Sequence, residues 1–433
     1  MAGVGFEGAV RPESRLVMLR SGANGGAVRA RNEARQFPIL LATGAAVYGV
    51  MMHVTSADPS RVAGCFGALG VAMAALVLRP FVVMLVMVCL GCRVVRIRVG
   101  AGPFTGVRLF GGRVVTFRTI PITFSAAYLP PPRQWGRDLR IMYGTIVLSP
   151  FVLSLVGMAL VPPYARVLCP IIGLGYSAVA AFSLPEGSRR GMAARAFGTP
   201  TAADDPQLAE PNWGYLANGL IAARFGELAE AAADLQYLRD ASDALGNGIE
   251  VLIERVQGDY APVARAYTAE LRKPTSSPLR ATLVARLAFV TLLMAEREPG
   301  LEARAVAFVD QTLSLRGAAA TSAEALPAAA LRALLAGDTV RCLNLTQRQL
   351  AVAASPLEIA DALCTRARAQ AAAGRTEAAY ATIHRAIGIA PWYTRVGIVQ
   401  QLLGAEPSAM DLSVADLTVD ARLFEDPWST SEA

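Results

Sequence analysis

The sequence predicts a mainly α protein of two unlike halves: a polytopic four-helix membrane domain with a short β-hairpin insert, then an all-α solenoid of helix pairs. Three observations point there. Of the 433 residues, 54% are hydrophobic, too many for an ordinary soluble protein of two or three domains. The apolar residues gather in long runs before position 185, as membrane spans require. The charge is split: residues 1–204 hold 21 arginines against 7 acids, and residues 205–433 hold 20 basic against 27 acidic residues, so a net +7 conceals halves of +14 and −7. Lys273 is the only lysine, a usage that with the abundant Ala, Gly and Val suggests a GC-rich bacterial genome.

Residues 1–36 are polar and glycine-rich, with arginines at 11, 15, 20, 29, 31 and 35 where a secretory signal would have an apolar run. They read as a basic flexible tail flanking a membrane, and no nucleic-acid partner is expected. Four apolar segments follow: Phe37 to Val54, Val62 to Leu90, Ile141 to Val161 and Val167 to Leu184. A hydrocarbon core of ~30 Å takes about 20 helical residues, so each is a candidate span. Residues 93–140 carry nine arginines and one acid, Asp138. Arginine favours the cytoplasmic side, which puts the tail, this stretch and Arg189, Arg190 and Arg195 inside. Four spans in the inner (cytoplasmic) membrane, in contact with its lipids and with both termini cytoplasmic, satisfy that rule.

Arg79-Pro80 could be a turn dividing the second segment. The piece Phe81 to Cys92 would then be 12 residues long, ~18 Å of helix and too short to cross. One long helix kinked at Pro80 is expected instead. Beyond it, β-branched residues and paired glycines predict a β-rich insert over 93–125, with short strands at Val107 to Phe110 and Val114 to Ile120 around Gly111-Gly112.

The stretch Gly91-Cys92-Arg93-Val94-Val95-Arg96-Ile97-Arg98-Val99-Gly100-Ala101-Gly102-Pro103, then Ile120-Pro121-Ile122, Leu148-Ser149-Pro150 and Leu184-Pro185-Glu186-Gly187-Ser188-Arg189, resembles the site-2 family of intramembrane metalloproteases over residues 62–198. The resemblance implies a zinc-binding His-Glu-x-x-His on the second span and a hairpin lining substrate access. Its first His falls on Arg79, its Glu on Pro80 and its second His on Val83, while Glu186 stands where the family's third ligand, an Asp, is expected. Zinc needs two imidazoles one helical turn apart and a carboxylate to deprotonate the bound water. All three motif residues are lost, so no catalytic residue, metal or other cofactor is expected. The chain's two histidines, His53 and His384, have no ligand-like spacing. Two chemical alternatives remain: Arg79 as a fixed charge paired with Glu186, since an intramembrane Arg costs ~2.5–3.5 kcal/mol on insertion scales, and a metal or redox site at Cys89-x-x-Cys92 completed by Cys169 or Glu186. The six scattered cysteines do not read as a disulfide framework.

A linker at 199–211 leads to Ala- and Leu-rich helical sequence over 212–405. Gly226, Gly258, Gly337 and Gly374 mark turns spaced by 32, 79 and 37 residues, the long interval leaving room for two units. Such intervals are typical of helix-pair repeats. The last unit resembles a tetratricopeptide repeat, with Ala367, Gly374, Ala379, Ala386 and Pro391 at its small positions and Leu363 and Ile383 at its large ones. A first unit fits at Tyr215, Gly219, Ala222, Gly226 and Ala231, and Ala281 to Leu315 fits as a helical hairpin. About five pairs would stack into a curved solenoid whose concave face binds a protein. Residues 406–433 form an acidic tail. The function expected is a non-catalytic, site-2-protease-like membrane scaffold or regulator that recruits a protein through 212–405 and contacts transmembrane segments of other proteins. The alternatives are an active metalloprotease with an atypical site and a plain membrane-anchored adaptor.

Overall fold

The computed structural model describes residues 39, 41–54, 56, 61–110, 113–183, 191–198, 208, 212–241, 246–273, 277–298, 302–314 and 324–404. They divide into two compact units, one of residues up to 94 together with 122–214, the other of 95–121 together with 215–404. The basic tail, most of the linker and the acidic tail lie outside the described residues.

The first unit holds α1 (Leu41–Val54), α2 (Val62–Cys89), α3 (Trp135–Gly157), α4 (Leu168–Phe182) and the short α5 (Met192–Phe197). Among the described residues three helices are long and apolar enough to cross a membrane: α2, and α3 and α4 with their flanking 3-10 turns. The α1 helix is apolar but shorter, and the start of the expected first span lies outside the described residues. Helix α2 runs unbroken through Pro80 for 28 residues, ~42 Å at 1.5 Å per residue, so one long apolar helix, rather than two pieces divided at Pro80, occupies this segment. It stops in a Schellman turn: the Cys92 amide donates to the Met87 carbonyl and the Gly91 amide to the Val88 carbonyl, both at 2.9 Å, with Gly91 at φ 76.

Small residues let the apolar helices approach closely, as membrane helices need where no hydrophobic drive separates lipid from protein. A Cβ on Gly173 of α4 would lie 2.6 Å from Ser154 Cβ of α3, and one on Gly175 would overlap Thr43 of α1. Just past Pro150, inside α3, the Phe151 amide donates across the helix pair to Ser177 Oγ at 3.2 Å.

The insert is larger than the short strands expected. Strand β1 covers Arg93–Phe110 and β2 covers Arg113–Leu129, so the hairpin extends past 125. The arginine-rich stretch after α2 is itself strand, because Val94, Val95 and Ile97 supply β-branched residues between the charges. Val107 and Val114 are buried with Leu350, Leu357 and Ile383 in a core of the second unit.

The rest of the second unit consists of helical hairpins: α6 (Trp213–Phe225) with α7 (Leu228–Asp240), α8 (Asn247–Gln257) with α9 (Tyr260–Arg272), α10 (Ser277–Arg297) with α11 (Glu302–Ser314), α12 (Leu326–Leu335) with α13 (Thr339–Val352), and α14 (Pro356–Ala372) with α15 (Thr376–Ile389), followed by α16 (Thr394–Leu402). Gly226, Gly258, Gly337 and Gly374 each sit between the helices of a pair with φ from 75 to 86, a left-handed turn that a side chain would strain. One point differs from the expectation of two further units: among the described residues the interval from Gly258 to Gly337 holds one further helix pair, α10 with α11, because α10 alone takes 21 residues. Ala367, Ala379 and Ala386 are fully buried, as the small positions of a close helix pair must be.

The array closes on itself. A Cβ on Gly226 would overlap the Trp392 ring, and one on Gly258 would lie 3.0 Å from Thr394 Cγ2, so the first two turns meet the segment entering α16. Beneath them is a buried ionic hub. Arg395, wholly buried, donates from Nε to Glu296 Oε2 at 2.7 Å and from Nη2 to Oε1 at 3.1 Å, and bonds Thr365 and the Asp361 carbonyl, each at 2.9 Å. Arg368 donates to Glu296 at 2.9 Å, Tyr393 to Asp361 at 2.7 Å, and Arg255 also pairs with Asp361. Burial alone would raise the Glu296 carboxyl, but Arg395 and Arg368 outweigh it and hold it below the usual carboxylate range.

Candidate functional site

The motif positions lie on one continuous helix, so their surroundings decide what they can do. Arg79 is ~15 Å from the C-terminal end of α2 and ~26 Å from its start. It is half-buried and has no ion pair or hydrogen bond among the described residues. Pro80, onto which the resemblance would put the general base, lies inside the helix. Phe81 stacks on Phe124 of β2, ring centroids 4.6 Å apart. Val83, at the second-His position, is buried with Met87 and Cys92 and packs against Tyr128, Met142 and Ile146. The position onto which the resemblance puts a second imidazole is therefore an apolar contact between α2, α3 and the hairpin.

Glu186 lies outside the described residues, four positions beyond the end of α4 at Phe182. The cysteine site does not assemble with Cys169. Cys92 is the residue after the Schellman glycine and packs on Met87, the apolar contact that commonly accompanies that turn, whereas Cys89 is exposed. Cys169 sits with Cys65, Ala68 and Leu168, its Sγ 4.0 Å from the Ala68 carbonyl. Ala68 and Cys89 are 21 helical residues apart on α2, ~32 Å, beyond any shared coordination sphere. Among the described residues no group of three or more His, Cys, Asp or Glu could hold a metal ion. His384 is half-buried on α15, and burial pushes the Cys342 thiol up to about 12, so it is a packing group rather than a nucleophile.

Three polar groups escaped the sequence reading. Asp138, counted there only as the one acid among nine arginines, is fully buried in the first turn of α3, bonded by Arg137 Nε at 2.9 Å. Arg195, expected as a cytoplasmic flank, is buried, hydrogen-bonded to the Tyr143 hydroxyl and stacked 4.5 Å over its ring. Arg96 on β1 has Nε and Nη2 buried with no acceptor among the described residues. Only the Arg195 pair has a sequence cue, since a short helix opening on Gly191 can fold its arginine back onto α3. Comparison with known protein families, curated proteins and solved structures finds no match to this chain.

Proposed function

We propose that this protein is a non-catalytic membrane scaffold or regulator, a site-2-protease-like core without its metal, that recruits a protein through its helical-hairpin region. In this reading four spans sit in a bacterial cytoplasmic membrane with both termini inside, and the core contacts transmembrane segments without cutting them. The observation that carries it is Val83. The position a zinc-binding imidazole would need is committed to apolar packing, four residues after an arginine and three after a proline. The five helical hairpins, the first and last with tetratricopeptide-like small positions, support the recruiting half of the proposal, because an exposed apolar side chain such as Val340 remains available to a partner.

Two measurements on the full-length protein test it. Elemental analysis and a cleavage assay on transmembrane substrates should find neither stoichiometric zinc nor turnover; zinc that disappears on Cys89→Ala would establish the atypical-metalloprotease alternative instead. A photo-crosslinker at Val340 should trap a protein in membranes. Adducts formed only from positions in the membrane helices would remove the recruiting role.

A further inference from the structure

The hairpin carries an unfilled anion fork. On a guanidinium, Nε–H and the Nη2–H on the same side form the edge that grips two oxygens of one carboxylate or phosphate in parallel. Those two nitrogens of Arg96 are buried and without an acceptor among the described residues. Burying a cation in this way is costly unless an anion completes it.

The neighbours add charge of the same sign. The Thr116 hydroxyl donates to the Ile97 carbonyl at 3.2 Å, and a Cβ on Gly100 would lie 3.2 Å from Arg118 Cβ. Segments 96–100 and 116–120 are therefore adjacent, which gathers Arg96, Arg98 and Arg118. Burial first, and then the charges of Arg98 and Arg118, push the Arg96 guanidinium down to about 10, which is what like charges around a desolvated cation do. Arg96 also follows the last residue of a candidate membrane span by only seven positions. Basic clusters that closely follow a span are suited to anionic headgroups.

We propose that Arg96, supported by Arg98 and Arg118, binds the phosphate of an anionic phospholipid through its Nε/Nη2 edge. A phosphodiester presents two non-bridging oxygens and one negative charge, which matches the two donors. The site rests on the hairpin alone and holds whether or not the protein is a protease relative.

The test is native mass spectrometry of the full-length protein in detergent, titrated with dioctanoyl phosphatidylglycerol, dioctanoyl phosphatidylcholine or inorganic phosphate. Phosphatidylglycerol should bind the wild type, and Arg96→Gln should weaken it about tenfold or more, the worth of a bidentate charged hydrogen bond. Arg96→Lys, which keeps the charge but not the fork, should also weaken it, and Arg113→Gln, an exposed arginine of the same hairpin, should leave it unchanged. The proposal fails if Arg96→Gln binds like wild type, if Arg113→Gln loses as much, or if phosphatidylcholine binds equally. Competition by inorganic phosphate at the same concentration as the lipid would assign the fork to a free anion and overturn the lipid assignment.

Discussion

Replacing Arg395 with Met and Glu296 with Gln should both destabilise the helical unit, but unequally, and the hub's charge count says which suffers more. Three arginines, 255, 368 and 395, surround two carboxylates, Glu296 and Asp361. Arg395→Met removes the bidentate pair and the bonds to Thr365 and Asp361, yet leaves Arg368 on Glu296 at 2.9 Å and Arg255 on Asp361. The remaining charges balance, so the loss belongs at the lower end of the ~3–5 kcal/mol expected for breaking a buried pair. Glu296→Gln instead leaves three buried or half-buried cations on one carboxylate and belongs at the upper end. For a unit of this size each kcal/mol moves Tm by about 2–4 °C, giving drops of roughly 6–12 °C and 10–20 °C. Thermal unfolding of the full-length variants in detergent reads both. A Tm within about 1 °C of wild type for Arg395→Met, or the opposite order, would refute the charge-balance reasoning.

Three further outcomes follow from the same geometry. The folded-state pKa of Glu296 is depressed, so its contribution is fully present above the ordinary carboxyl value of 4.5 and is lost as pH falls through the lower folded value; the Tm decline from pH 5 to pH 3 should be shallower in Glu296→Gln, and equal slopes would count against it. Gly258→Ala and Gly374→Ala each pay about 1–2 kcal/mol for a left-handed backbone, but only Gly258 also meets Thr394, so urea midpoints should fall further for Gly258→Ala. Gly173→Val forces a branched side chain against Ser154 and Pro150 and should cost about 1–3 kcal/mol or more by overpacking, seen as a lower Tm of the membrane unit; a wild-type Tm would show that α3 and α4 do not touch there.

Local signals were legible in the sequence and distant ones were not. The unbroken α2 followed from length alone, because a helix divided at Pro80 leaves a fragment that cannot cross a bilayer. The four turn glycines were legible because a left-handed residue between two helices is almost a requirement for Gly. The hairpin's extent was underestimated: a β-rich insert was expected over 93–125, but strands were placed only at Val107 to Phe110 and Val114 to Ile120, and Arg93, Arg96 and Arg98 read as membrane-flanking charge. The hub was invisible for a different reason. Arg395 and Glu296 are 99 residues apart and Arg255 and Asp361 are 106 apart, so nothing local distinguishes these side chains from solvated charges on an amphipathic helix. Of the candidate site, the sequence could name Val83 only through a resemblance, whereas its packing on Met142 and Tyr128 is visible in the structure alone.

The closure between the turns at Gly226 and Gly258 and the segment from Trp392 changes how this chain must fold. An open repeat array can nucleate anywhere and gain stability one unit at a time. Here the earliest hairpins are completed by residues near 392–395, the last to leave the ribosome among those they touch. Long loops must close before those contacts reward them, which makes folding slow and the region cooperative as a whole. A chain truncated before Trp392 therefore loses more than one helix. Its first hairpins would wait with exposed apolar turns, good substrates for chaperones and proteases.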